Sequence, residues 1–78
     1  SSVMFNREKI LQSGEKLTIT SRLDPDGNEH LYLCISSKDK DKGFIIDLSV
    51  PLSIEEAKFI SASLQAAEVM LRLSKKEN

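Results

Sequence analysis

The sequence predicts an α+β domain in which three or four antiparallel strands precede one long C-terminal helix that pairs with a copy of itself. Three observations carry that expectation. Apolar and polar residues alternate with period two between Glu15 and Val50. Turn-forming residues interrupt the alternation at residues 24–28 and 38–43. From Ser53 the periodicity becomes helical and opens on a capping box. At 78 residues the chain has room for one small core. We therefore read it as a single domain over residues 1–78, with an N-terminal segment at 1–14, a sheet at 15–51, a helix at 53–73 and a tail at 74–78.

The first strand of the secure set follows Glu15. Leu17, Ile19, Ser21 and Leu23 share one face, and Lys16, Thr18, Thr20 and Arg22 share the other. Asp24-Pro25-Asp26-Gly27-Asn28 supplies a fixed φ, a glycine that accepts positive φ, and Asx side chains that bond their own backbone, so the chain turns back. The returning strand places Leu31, Leu33 and Ile35 inward and His30, Tyr32, Cys34 and Ser36 outward. After the turn at residues 38–43, Phe44, Ile46, Leu48 and Val50 form the inward set of a third strand. Ile45, Asp47, Ser49 and Pro51 lie outward, and Pro51, which cannot donate to a ladder, is expected to end the strand. Residues 4–14 fit neither period well; a fourth strand there completes the sheet, with its turn at Ser13-Gly14-Glu15.

The helix is the best-defined element. Ser53 and Glu56 match S-x-x-E, in which the hydroxyl caps the N3 amide and the carboxylate reaches back to the cap, and Leu52 sits at the staple position. Glu55 and Glu56 at the start and Arg72, Lys75 and Lys76 at the end complement the helix dipole, and Glu68 and Arg72 are spaced for an ion pair. Residues 59–67 carry no charge, and apolar side chains occupy two flanks rather than the one needed to cover a sheet. The surplus predicts a second buried contact, a homodimer through Phe59, Ile60, Ser63, Leu64, Ala67, Met70 and Leu71.

The chemistry-bearing residues exclude more than they indicate. His30 and Cys34 are the only histidine and cysteine. Two such residues do not make a zinc site, and at i,i+4 on a strand they cannot touch as nucleophile and base. Asp24, Asp26 and Asn28 imitate the start of a calcium loop, but Glu29 stands where that loop needs glycine and Ile35 where it needs a bidentate glutamate. No glycine-rich phosphate cradle is present, and the acids sit in turns or at the helix start. The expectation is a non-enzyme with no cofactor and no metal. A lone cysteine, no apolar run of membrane length and no signal-like opening add the expectation of an intracellular protein without membrane contact.

One constellation remains. The net charge is −1, but residues 1–22 sum to +2 and residues 23–47 to −3, so a polyanion would have to meet a local patch. The outward sheet face offers that patch: Lys16, Arg22, Lys38, Lys40 and Lys42 for phosphates, Thr18, Thr20 and Ser36 for hydrogen bonds, and Tyr32, with Phe5 as a second candidate ring, for stacking. A solvated face with scattered lysines is the plainer reading of the same residues.

Residues 31–36 (LYLCIS), a charged turn and residues 43–64 (GFIIDLSVPLSIEEAKFISASL) resemble the end of a Whirly-type repeat. There, a strand finishing in apolar-Pro-apolar-Ser/Thr leads into an acid-containing helix start and a long apolar helix. The segment is also similar to the transcriptional coactivator family typified by positive cofactor four. The resemblance spans residues 15–73 in element order and residues 50–64 in motif. It implies a curved antiparallel sheet before a helix, assembly through the helices, and binding of single-stranded DNA or RNA on the sheets, in transcription regulation. Two rivals stay open: a protein-interaction module whose apolar helix meets a different protein, and a small enzyme with a composite pocket around His30 and Cys34.

Overall fold

The structure, a computed structural model, describes residues 2–77. Its elements are β1 (Ser2–Ile10), β2 (Lys16–Leu23), β3 (Glu29–Asp39), β4 (Gly43–Leu52) and α1 (Ile54–Glu77). The four strands form one antiparallel sheet in the order β1-β2-β3-β4, followed by the single helix. This is the α+β arrangement the periodicities predict, and the fourth strand expected within residues 4–14 is present as Ser2–Ile10, starting earlier and ending before the turn.

Each hairpin is closed by the chemistry of its turn. Leu11 and Glu15 close the first through a 2.7 Å backbone bond, and Gly14 takes φ +96°, where a side chain would strain the backbone. In the second, Gly27 N–H donates to the Asp24 carbonyl at 2.9 Å, and the Asp26 carboxylate accepts from the Asn28 backbone N–H and amide, each at 3.0 Å. In the third, Asp39 Oδ2 accepts from the amides of Asp41 and Lys42.

Strand β4 departs from the simple alternation. Leu31↔Leu52, Leu33↔Val50 and Ile35↔Leu48 pair as the period predicts, but Ser36 then pairs with Ile46, leaving Asp47 as the extra residue of a β-bulge. The Asp47 carboxylate accepts from the Ser37 hydroxyl, which anchors the bulge. Beyond it the strand changes phase. Phe44 and Ile46 lie opposite Lys38 and Ser36 on the polar face rather than inward, and Ile45 lies opposite Ser37 on the apolar face. Pro51 does not end β4. It pairs with Tyr32 inside the strand, and an edge strand tolerates a residue without an N–H.

A second bulge, at Met4 in β1, shifts register between Val3↔Arg22 and Phe5↔Ser21. Phe5 therefore shares the face of Ser21 and Leu31 and is not a stacking ring on the polar side. The polar side keeps Asn6 and Glu8 from β1, opposite Thr20 and Thr18.

The helix starts as its cap dictates. Ser53 Oγ accepts from Glu56 N–H at 3.0 Å, and Glu56 Oε1 accepts from Ser53 N–H at 2.8 Å. It runs to Glu77, beyond the residue 73 expected from the apolar pattern, with Lys75 and Lys76 in its last turn complementing the dipole. Arg72 holds both Glu68 carboxylate oxygens, at 2.7 and 2.8 Å.

The helix scarcely meets the sheet. Ala57 and Ile60 are half-buried, and residues 61–76 are exposed throughout. The radius of gyration is 15.7 Å, against about 11.5 Å for a compact chain of this length. Among the described residues Cys34 is the only apolar side chain that is buried; the polar Thr20, Ser21 and Ser36 are buried as well. One chain alone therefore has the ladder of a sheet and the hydrogen bonds of a helix, but almost no core.

Candidate nucleic-acid interface

The two faces of the sheet are built differently. On the polar face the central residues satisfy one another. Thr20 Oγ donates to the Phe5 carbonyl at 2.9 Å, and Cys34 Sγ donates to Ser49 Oγ at 3.4 Å. The Thr20 hydroxyl proton is thus already engaged in tying β2 to the bulged β1, and Thr20 and Ser36 form the buried floor of a shallow groove of about 250 Å³. Lys16, Thr18 and Arg22 line that groove from β2, Asn6 and Glu8 from β1, and Phe44 and Ile46 from β4.

Two ring–cation pairs stand on this face. The Arg22 guanidinium lies 5.8 Å from the centre of the Tyr32 ring, and Lys16 Nζ lies 4.7 Å from the centre of the Phe44 ring. Tyr32 and the Lys38 position opposite Phe44 are six residues apart on β3, so the pairs are separated along the strand by about 20 Å. Arg22 enters no ion pair among the described residues, whereas Lys16 Nζ is 3.5 Å from Glu8 Oε2. Lys38 stands exposed at the end of β3, and Lys40 and Lys42 are exposed on the adjoining turn. The face therefore combines the expected cations with a second aromatic ring. The sequence signal that could have located that ring is the adjacent pair Ile45-Ile46: two neighbouring apolar residues in an alternating strand mark a phase change.

The opposite face carries Leu17, Ile19, Leu31, Leu33, Ile35, Leu48, Val50 and Leu52. Between it and the helix runs an open, apolar groove of about 520 Å³, lined by Ile19, Leu31, Leu33 and Leu52 from the sheet and by Ala57, Ile60 and Leu64 from the helix. Of the expected dimer residues, Ile60 and Leu64 face this groove. Phe59 borders a separate hollow with Leu52 and Glu55, and Ser63, Ala67, Met70 and Leu71 are exposed. Phe59 is 72% exposed, Met70 67% and Leu64 66%, values that a helix seated on its own sheet does not show.

His30 and Cys34 are not brought together. His30 Nε2 pairs with Asp24 Oδ2 at 2.9 Å at one end of the sheet, while Cys34 is buried against Ser49. Asp24, Asp26 and His30 do bring one donor atom each to within 4.8 Å of one another, a grouping that strand and turn patterns alone do not reveal. These are the described residues that could meet a common cation, but Asp26 and His30 are exposed and Asp24 is only half-buried, and each carboxylate has a role in the turn. The Asn28 backbone N–H, then its side-chain amide, hold the Asp26 carboxyl below the usual carboxylate range, with a smaller contribution from His30.

No helix among the described residues is long and apolar enough to cross a membrane. Comparison with known protein families, with curated proteins and with solved structures finds no match to this chain.

Proposed function

We propose that this protein binds single-stranded nucleic acid, DNA or RNA, on the polar face of its sheet, without catalysis, as a homodimer joined through the helices and the apolar sheet faces, and that it serves transcription regulation in the manner of the Whirly-type and positive-cofactor-four-like proteins it resembles. The observation that carries the reading is the pair of aromatic rings, Tyr32 and Phe44, each with its own cation, on one face of the sheet. An unpaired strand presents bases, which stack on rings whatever their identity, and phosphates, which follow cations. A duplex hides its bases and would use the cations alone. Lys38, Lys40 and Lys42 extend the positive track past Phe44, so a strand crossing both rings meets cations at each end.

The dimer follows from the other face. Of the eight apolar residues on that face, Ile19 and Leu48 are exposed and the other six only half-buried in one chain, and residues 61–67 of the uncharged middle of the helix are exposed. At roughly 25 cal/mol per Å² the cost of that exposure is removed only by a second surface of the same kind. A second copy offers one by symmetry and leaves the polar faces free.

Fluorescence anisotropy with labelled single- and double-stranded oligonucleotides at two salt concentrations tests the function. The expected result is tighter binding to the single strand, weakening steeply with salt. No binding of the single strand at low salt overturns it. The open groove of about 520 Å³ also favours a second reading, an adaptor whose groove takes an amphipathic helix of another protein. Sedimentation of the isolated chain separates the two, since the adaptor requires a monomer.

A further inference from the structure

The two ring–cation pairs are not equivalent. Arg22 is exposed and has no carboxylate partner among the described residues, so its guanidinium is available above Tyr32. Lys16 is held between the Phe44 ring at 4.7 Å and the Glu8 carboxylate at 3.5 Å, and only 23% of its side chain is exposed. Glu8 lines the same groove, on edge strand β1, opposite Thr18. A carboxylate there offers Lys16 the same charge-assisted contact that a phosphate would offer, and it repels an incoming phosphate.

Resting on the single-strand reading above, we infer that Glu8 is an internal competitor for the nucleic-acid backbone: it masks the Lys16–Phe44 pair, so that a strand engages the open Arg22–Tyr32 pair first and occupies the second only by displacing Glu8 from Lys16. The chain thereby sets its own affinity below what its cations permit. Fragments too short to span both rings are held by one pair, and longer strands are selected because their length supplies the second engagement at high local concentration. Glu8 does not need to fold or move an element for this. It is 48% exposed and sits on an edge strand, so its side chain can swing to solvent when phosphate arrives.

The test uses the full chain and a labelled deoxythymidine oligonucleotide long enough to span both rings. Glu8→Gln keeps shape and removes the charge. It is expected to tighten binding about two- to fivefold, the range of an exposed ion pair, and to steepen the salt dependence by up to about 0.7 in the logarithmic slope. In a Lys16→Met background the same Glu8→Gln change is expected to give less than half of that gain, because Glu8 acts through Lys16. Glu8→Ala repeats the measurement, and thermal melting confirms that each variant is folded. If the parent chain binds but Glu8→Gln gives no gain, or the same gain without Lys16, the masking inference is overturned while the function stands. If neither the parent nor Glu8→Gln binds at low salt, the single-strand reading itself falls and the inference with it. Binding by Glu8→Gln where the parent shows none supports both.

Discussion

The two faces of this sheet solve the burial problem in opposite ways. The polar face meets most of its own needs within one chain: Thr20 is bonded to the β1 backbone, Cys34 to Ser49, and both rings are matched with cations, while Val3 and Ile46 stay exposed at its groove. The apolar face is unfinished, because the helix that could cover it touches it only near Ala57 and Ile60 and then leaves. A surface complete in itself is free to meet a ligand in solution, whereas one open over so many leucines and isoleucines has to be closed before the chain is stable. On the proposed reading, the difference puts assembly on one side and recognition on the other.

Placing a charge on each side in turn gives the sharpest contrast. Leu33→Asp puts a carboxylate at the centre of the apolar face, beside Ile19 and Val50. It is expected to cost more than about 3 kcal/mol and to leave an unfolded or monomeric chain by circular dichroism and sedimentation. If Leu33→Asp leaves mass and melting temperature unchanged, that face is not buried in the assembly. On the polar side, Lys16→Glu with Arg22→Glu should abolish oligonucleotide binding and leave the oligomer and its melting temperature intact. Loss of the fold in that variant would show that the two faces are not separable.

The bulge can be tested more finely. Deleting Asp47 removes the extra residue, so that Ile46 directly precedes Leu48 and Phe44 and Ile46 keep their places opposite Lys38 and Ser36 on the polar face, at the cost of the Asp47–Ser37 bond. Binding is expected to survive that deletion, whereas Phe44→Ala should weaken it by about 1 to 3 kcal/mol, the loss of one stacking ring. A Phe44→Ala variant that binds as tightly as the parent would remove Phe44 from the interface.

Much of this was legible in the sequence, and the failures share a cause. The alternation of Leu17, Ile19, Leu31 and Leu33, the turn at residues 24–28 and the Ser53–Glu56 box each encode a local geometry, and each appears as expected. Phe44, Ile46, Leu48 and Val50 also alternate without a break, yet a single extra residue at Asp47 divides them between two faces. Alternation is a property of one strand, while register belongs to a pair, and nothing in β4 alone fixes how it meets β3. Met4 does the same to Phe5 in β1. Pro51 misleads for a related reason: whether a missing N–H matters depends on whether the strand is at an edge. The Glu8–Lys16 contact required the register of β1 on β2, which the ambiguous residues 4–14 did not supply.

The smallest expected effect concerns the helix start, which neither face uses. Ser53→Ala removes the cap and should lower stability by about 1 kcal/mol in thermal melts, with binding to the folded protein unchanged. The Ser53 backbone N–H, followed by its hydroxyl, holds the Glu56 carboxyl below its ordinary value. The folded form is thus the more acidic one, so the Glu56 contribution is present above the unfolded carboxyl's pKa and fades as pH falls through the folded one. Melting followed from pH 7 downward should lose this increment in the parent and show none in Glu56→Gln. The same acid dependence in both would assign it to other carboxylates.

The division of labour between the faces is tested most directly by sedimenting the full chain at micromolar concentration with a fluorescent single-stranded oligonucleotide and reading the mass of the particle that carries the label. The account predicts label travelling with two copies of the 8.7 kDa chain. Label bound to a single folded chain, or label sedimenting free beside the protein at low salt, would contradict it.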